Sequence, residues 1–112
     1  MSGDELAAFV LARVAEDEAS ARGSVADAGT GRTLGVPPEW LHGVAARVLA
    51  ECEAKRRIVE SAVRDLAKAD ARDADQIVRS FSAGAAFVAH NTLLTLAAVW
   101  ADHPDYRPEW RP

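Results

Sequence analysis

The feature that most constrains this chain is a run of apolar positions through its middle. Leu41, Ala45, Val48, Cys52, Lys55, Val59, Ala62 and Leu66 follow one another by four and three residues in turn. That is the spacing of a heptad seam on an α-helix, broken only at Lys55. Leu49, Ile58 and Val63 widen the seam into a broader stripe, as on a globular helix. The opposite face is charged. Glu51 stands four residues before Lys55, Glu53 four before Arg57 and Glu60 four before Arg64. Each pair has its acid on the N-terminal side, the better orientation, and contributes about 0.2–0.5 kcal/mol. Such pairs describe a solvated helix face rather than a site. Whatever else the chain does, its other elements must cover the apolar side of this helix.

Composition narrows the choice of cover. The chain has 112 residues, which suggests one domain. Half of it is apolar but only 6% is aromatic, and alanine is abundant, so closely packed helices are expected rather than a sheet. Cys52 is the single cysteine, so an internal disulfide and a paired-cysteine metal knuckle are both excluded. The net charge of −4 disfavours non-specific binding to nucleic acid or an anionic membrane. Asp4 and Glu5 stand where a secretory signal would be basic, so a cytoplasmic protein is expected.

In chain order, residues 4–22 read as a first helix. Ser2 and Glu5 have capping-box spacing, and Leu6, Phe9, Val10 and Val14 form one apolar face. Gly23 is its expected stop. Residues 23–37 read as a loop rich in glycine and polar residues, closed by Pro37 and Pro38. Gly29-Thr30-Gly31 lacks the spacing, the lysine and the preceding strand of a phosphate-binding loop. Residues 38–69 form the central helix, roughly 45 Å long, with Pro38 suited to its first turn. Asp73 and Gln76 have the spacing of a helix start, so a third helix is placed over 73–102. The alternative is one helix continuous from the second. The third helix is apolar over most of its circumference, which predicts burial. Residues 83–101 approach the length of a membrane span, but His90, Asn91, Thr92 and Thr95 sit in their middle and disfavour that reading. The prolines of the tail, residues 103–112, end the helix. The expected fold is all-α: a long antiparallel helical hairpin, a shorter N-terminal helix packed across it, and an extended proline-rich C-terminal tail.

Three blocks of the sequence resemble a known family. They are residues 9–18 (FVLARVAEDE), 47–59 (RVLAECEAKRRIV) and 101–112 (ADHPDYRPEWRP). They are similar to an actinobacterial domain-of-unknown-function family, number 6221, and cover about a third of the chain. The tail is the most specific block. The resemblance implies an actinobacterial or actinophage origin and carries no assigned activity. Relatives with longer middle segments that contain cysteines imply no metal site here, because this chain lacks those cysteines.

Candidate chemistry is sparse. Glu16, Asp17, Glu18 and Glu51 could gather around a divalent cation, as in small helical hydrolases, but neither Glu-x-x-His nor a clear Glu-x-x-Glu pair is present. Lys55, Arg56 and Arg57 could touch phosphates, yet acids alternate with them and no basic stripe with aromatics accompanies them. Cys52 lies on the seam as a small hydrophobe. His42, His90 and His103 share no ligand spacing. Tyr106 and Trp110 are large apolar bodies with polar handles. They are expected to dock on the helices, with Arg107 and Arg111 reaching the acidic run Glu16-Asp17-Glu18. Tyr106, Arg107, Trp110 and Arg111, with Trp100 and Phe87, are the candidate interaction residues.

The expected function is therefore a non-catalytic structural or interaction module, without a cofactor. The alternatives are a metal-dependent hydrolase or nucleotide-binding protein that uses its carboxylates, and an accessory protein associated with nucleic acid. Self-association is expected because one short helix cannot cover a 45 Å hairpin. Ile77, Phe81, Phe87, Leu94 and Trp100 would leave a patch too large for a typical monomer, and a symmetric dimer removes it.

Overall fold

The computed structural model describes residues 3–31, 35–70 and 76–112. It is all-helical: α1 spans Gly3–Thr30, α2 Pro38–Ala69 and α3 Gln76–Ala97, and no strand occurs among the described residues. Short 3-10 turns follow at Ala98–Trp100 and Pro108–Trp110. The expected cap at Ser2 and the expected third-helix start at Asp73 lie outside the described residues, as does the junction between α2 and α3.

The central helix has the bounds its sequence predicts. The carbonyl of Pro37 accepts hydrogen bonds from the amides of Trp40 and Leu41, at 3.1 and 3.2 Å, and Pro38 occupies the first turn. The heptad seam is its inner face: Ala45, Cys52, Val59 and Ala62 are buried, and Leu41, Val48, Lys55 and Leu66 are half-buried. Of the residues that widen it, Leu49 is half-buried and the other two are not inside. Ile58 and Val63 are 41% and 38% exposed.

The first helix is longer than expected. It runs through Gly23 and Gly29 and ends at Thr30, so it is not a short helix. A glycine inside a helix costs about 1 kcal/mol, too little to stop one that is otherwise well populated with helix formers. The stop is Gly31, whose φ of 77° is the left-handed conformation of a helix C-terminus. At the other end, Asp4 and Glu5 lie in the first turn, where the helix dipole favours acids.

The chain divides into two compact units. One comprises Ala12–Arg56. In it Val14, Ala21, Ala45 and Cys52 are buried together with the side chain of Arg13. Arg13 meets Glu16 at 3.1 Å, and Arg56 donates to Glu18 through its Nε at 3.1 Å and through its Nη2.

The other unit comprises the described residues within Met1–Leu11 and Arg57–Pro112. Leu6, Val10, Val59 and Leu93 are wholly buried there, each contributing about 1.5–3 kcal/mol. Gly3 lets α1 start close against Leu66; a Cβ at Gly3 would sit 2.7 Å from the Leu66 Cδ1. In this unit α2 and α3 run antiparallel, because Ile58 shares a groove with Val88 and Leu96, while Lys68 shares one with Phe81 and Ala85. Only one side of α3 is inside. Ala89, Leu93 and Ala97, spaced by four, are buried, which corrects the expectation of a helix covered all round.

The tail folds back in the same unit. Tyr106 and Trp110 are buried around Phe9, with ring centroids 5.9 and 5.0 Å from it and 5.7 Å from each other. His103 meets Phe9 edge-on at 5.8 Å. The His103 Nδ1 accepts a hydrogen bond from the Asp105 amide at 3.0 Å and fixes the turn. Arg107 lies over the Trp110 ring at 5.5 Å and meets Glu5 at 2.6 Å. Its acidic partner is therefore Glu5, at the dipole-favoured start of α1, rather than the expected run Glu16-Asp17-Glu18.

Candidate functional site

The outward side of α3, continued by the 3-10 turn that follows it, carries a group of large apolar side chains that the fold leaves in water. Ile77, Phe81, Val88 and Val99 are 70%, 78%, 63% and 65% exposed. At 100° per residue Ile77, Phe81 and Val88 fall within about 40° of one another around α3, and Val99 continues the stripe on the 3-10 turn that follows. Phe87, 70% exposed, flanks it. The five side chains present on the order of 600 Å² of apolar surface, at the upper end of the largest patch on a typical monomer. Beside the stripe runs a groove of about 360 Å³ lined by Ile58, Val88, Thr92, Thr95 and Leu96.

The chemistry of the stripe is as uniform as its shape. Ser80–Trp100 contains no Asp, Glu, Lys or Arg over 21 residues. By length and composition alone this stretch could cross a membrane. Its threonines are already satisfied: Thr92 Oγ1 donates to the Val88 carbonyl and Thr95 Oγ1 to the Asn91 carbonyl, both at 2.8 Å. Covering the stripe would therefore strand neither hydroxyl. Asn91 is exposed on the same side.

The sequence profile of a family of unknown function, DUF6221, matches residues 3–112. The chain belongs to the DUF6221 family. The match extends over nearly all of the sequence, well beyond the three blocks in which the likeness is most visible. Comparison with curated proteins gives no match, and comparison with solved structures gives none.

In this DUF6221 chain the carboxylates singled out from sequence are mostly held by arginines. Glu16 pairs with Arg13, Glu18 with Arg56 and Arg22, and Glu51 with Arg47 at 3.3 Å. The expected Glu51–Lys55 pair is replaced by one in which the arginine comes first along the helix. The guanidinium of Arg56 holds the Glu18 carboxyl below the ordinary range, mainly through its hydrogen bond. Among the described residues no three His, Cys, Asp or Glu side chains come together as a metal ion would require. Of the basic triplet, Arg56 is engaged by Glu18, Lys55 is half-buried beside Cys52, and Arg57 is exposed. The Cys52 thiol is pushed up, first by burial and then by the negative charges of Asp17 and Glu18, so it is a poor nucleophile.

The interaction candidates separate into two sets. Tyr106 and Trp110 are buried in the chain's own core, and Arg107 is bound to Glu5, while Arg111 is exposed and Trp100 half-buried. Phe87 remains on the surface together with Ile77 and Phe81. Leu94, placed on the same patch from sequence, is half-buried. Val88 and Val99 belong to the stripe and were not singled out. The signal was there: Val88 follows Phe81 by seven residues, and Val99 follows Val88 by eleven, both near whole numbers of turns.

Proposed function

We propose that this protein is a non-catalytic structural module of the cytoplasm that self-associates through the outward face of α3. The observation that carries the reading is the stripe itself: Ile77, Phe81, Val88 and Val99, mostly in water, the last three within the uncharged stretch Ser80–Trp100. With Phe87 and the exposed part of Ile58, the stripe approaches the roughly 800 Å² per partner of a standard interface. An uncharged face selects a partner that is also uncharged, and the face of this description at hand is a second copy of α3. Asn91 favours that partner over lipid. Its amide both donates and accepts, so two copies can satisfy each other across a twofold axis, whereas hydrocarbon satisfies neither group. The ion pairs on Glu16, Glu18 and Glu51 support a structural role for these acids, so this reading assigns them no metal and no cofactor.

Light scattering at about 100 μM, far above the Kd range of stable interfaces of this size, is expected to give twice the chain mass of 12.0 kDa. The Phe81→Glu, Val88→Glu double variant is expected to run at the monomer mass with its helical circular dichroism retained. A monomeric wild type overturns the proposal. So does a wild type that floats with phosphatidylcholine vesicles instead of dimerising.

A further inference from the structure

Within the unit of Ala12–Arg56, α1 and α2 enclose a cleft of about 390 Å³ that the self-association proposal does not use. It exists because α1 places small residues there, Ser20, Ala21 and Ser24, opposite the seam of α2. Its floor is apolar: Ala21, Ala45 and Cys52 are buried and Val48 is half-buried. Its charged lining is Asp17, Glu51 and Lys55, and Glu51 is already paired with Arg47 at 3.3 Å, so Asp17 is the carboxylate of the cleft left for a ligand. Asp17 occupies a seam position, four residues before Ala21 and seven before Ser24, and is itself half-buried. Its neighbours on α1 are neutralised, Glu16 by Arg13 and Glu18 by Arg56 and Arg22. Asp17 forms no ion pair among the described residues. A half-buried carboxylate without a cation costs free energy that a cationic ligand would recover.

We propose that this cleft binds a small amphipathic amine, its apolar body on Ala45, Val48 and Cys52 and its ammonium against Asp17. The volume lies within the range of pockets that hold small organic ligands, and an apolar floor with one converging charge is their usual construction. The same charge discriminates: an alkyl chain of equal length ending in a carboxylate cannot pair with Asp17 and is repelled by it.

The test titrates the full-length protein with n-octylammonium, n-octanol and n-octanoate, following backbone amide resonances. Octylammonium is expected to saturate, with shifts centred on Ala21, Ala45 and Cys52. Octanoate is expected to bind at least about tenfold more weakly, the factor of one charge-assisted contact, and Asp17→Asn is expected to weaken octylammonium by a similar factor. Ala45→Trp, which fills the floor, is expected to abolish binding. The Phe81→Glu, Val88→Glu variant is expected to bind as wild type does, which separates this site from the α3 face. Absence of saturation by about 10 mM in the wild type overturns the inference. Equal binding of the amine and the carboxylate overturns it too, as do wild-type shifts confined to α3, and these wild-type readouts hold even if a variant fails to fold.

Discussion

Tyr106→Phe should leave this protein at least as stable as it was, whereas Trp110→Ala should cost several kcal/mol. Both rings are buried, at 9% and 2% exposure, and both sit on Phe9. Their polar handles contribute differently from their rings. The Tyr106 hydroxyl and the Trp110 indole N–H have no hydrogen-bond partner among the described residues. A buried donor without a partner costs about 1–3 kcal/mol relative to one left in water. Removing the hydroxyl while keeping the ring preserves the edge contacts to Phe9 and Trp110 and abolishes that cost, so a gain of up to about 1 kcal/mol is expected. Trp110→Ala removes the ring itself. Large aromatic truncations in cores cost about 3–5 kcal/mol. Here the contacts to Phe9 and Tyr106 account for about 0.5–1.5 kcal/mol each, and the Arg107 guanidinium adds about 0.5–1. Because the segment from His103 to Trp110 is held by turns rather than by a long helix, it can undock and recover about 1–2 kcal/mol of backbone entropy per released residue. The loss should therefore fall near the lower limit, about 3 kcal/mol. Urea denaturation followed by far-ultraviolet circular dichroism, at one fixed protein concentration, measures both variants. If Tyr106→Phe instead loses more than about 1 kcal/mol, the hydroxyl has a partner and the reasoning fails.

Other expectations use the same assay. Gly23 sits inside α1 with nothing within 4 Å of a prospective Cβ, so Gly23→Ala should stabilise by about 0.5–1 kcal/mol. Gly31, at φ 77°, should respond in the opposite direction, with Gly31→Ala losing about 1 kcal/mol; equal effects would mean α1 does not end there. Glu18 titrates below the ordinary glutamate range because Arg56 bonds its carboxylate. A depressed folded value means that its contribution is present above the unfolded value and is lost as pH falls through the folded one. Glu18→Gln should therefore be less stable than wild type at neutral pH, and the two should converge in acid. A difference that persists unchanged to low pH would assign the effect to something other than the charge.

The fold was legible wherever one residue pattern had one physical meaning. The four-three spacing from Leu41 to Leu66 is such a pattern, and its members are the inner face of α2. Pro37 and Pro38 fixed the start of that helix for the same reason. The end of α1 was not legible, because a glycine has two meanings. Gly23 is tolerated inside the helix, and Gly31 terminates it, and only the backbone φ distinguishes them. The partner of Arg107 was illegible for a different reason. Its sequence neighbours suggest any acid within reach, and Glu5 prevails because the turn from His103 to Trp110 delivers the guanidinium to the first turn of α1. Asp17 had a visible signal, an acid at a position that should be apolar, but it was concealed among the equally acidic Glu16 and Glu18.

The same ambiguity governs α3, the element on which the functional reading depends. A helix that is apolar nearly all round predicts cover, and does not say whose. Within a chain of three helices, each helix has at most two neighbours, so one side of the most apolar helix must face outward. The side that turned inward carries Ala89 and Ala97, which allow close approach, with Leu93 between them as the large side chain that fills the core. The side left out carries the bulk: Ile77, Phe81, Val88 and Val99. Had the fold been selected only to bury surface within one chain, the opposite division would have stabilised it more, since a phenylalanine gains far more from burial than an alanine. Two phenylalanines outside and two alanines inside fit the proposal that a second copy completes the outer side of α3.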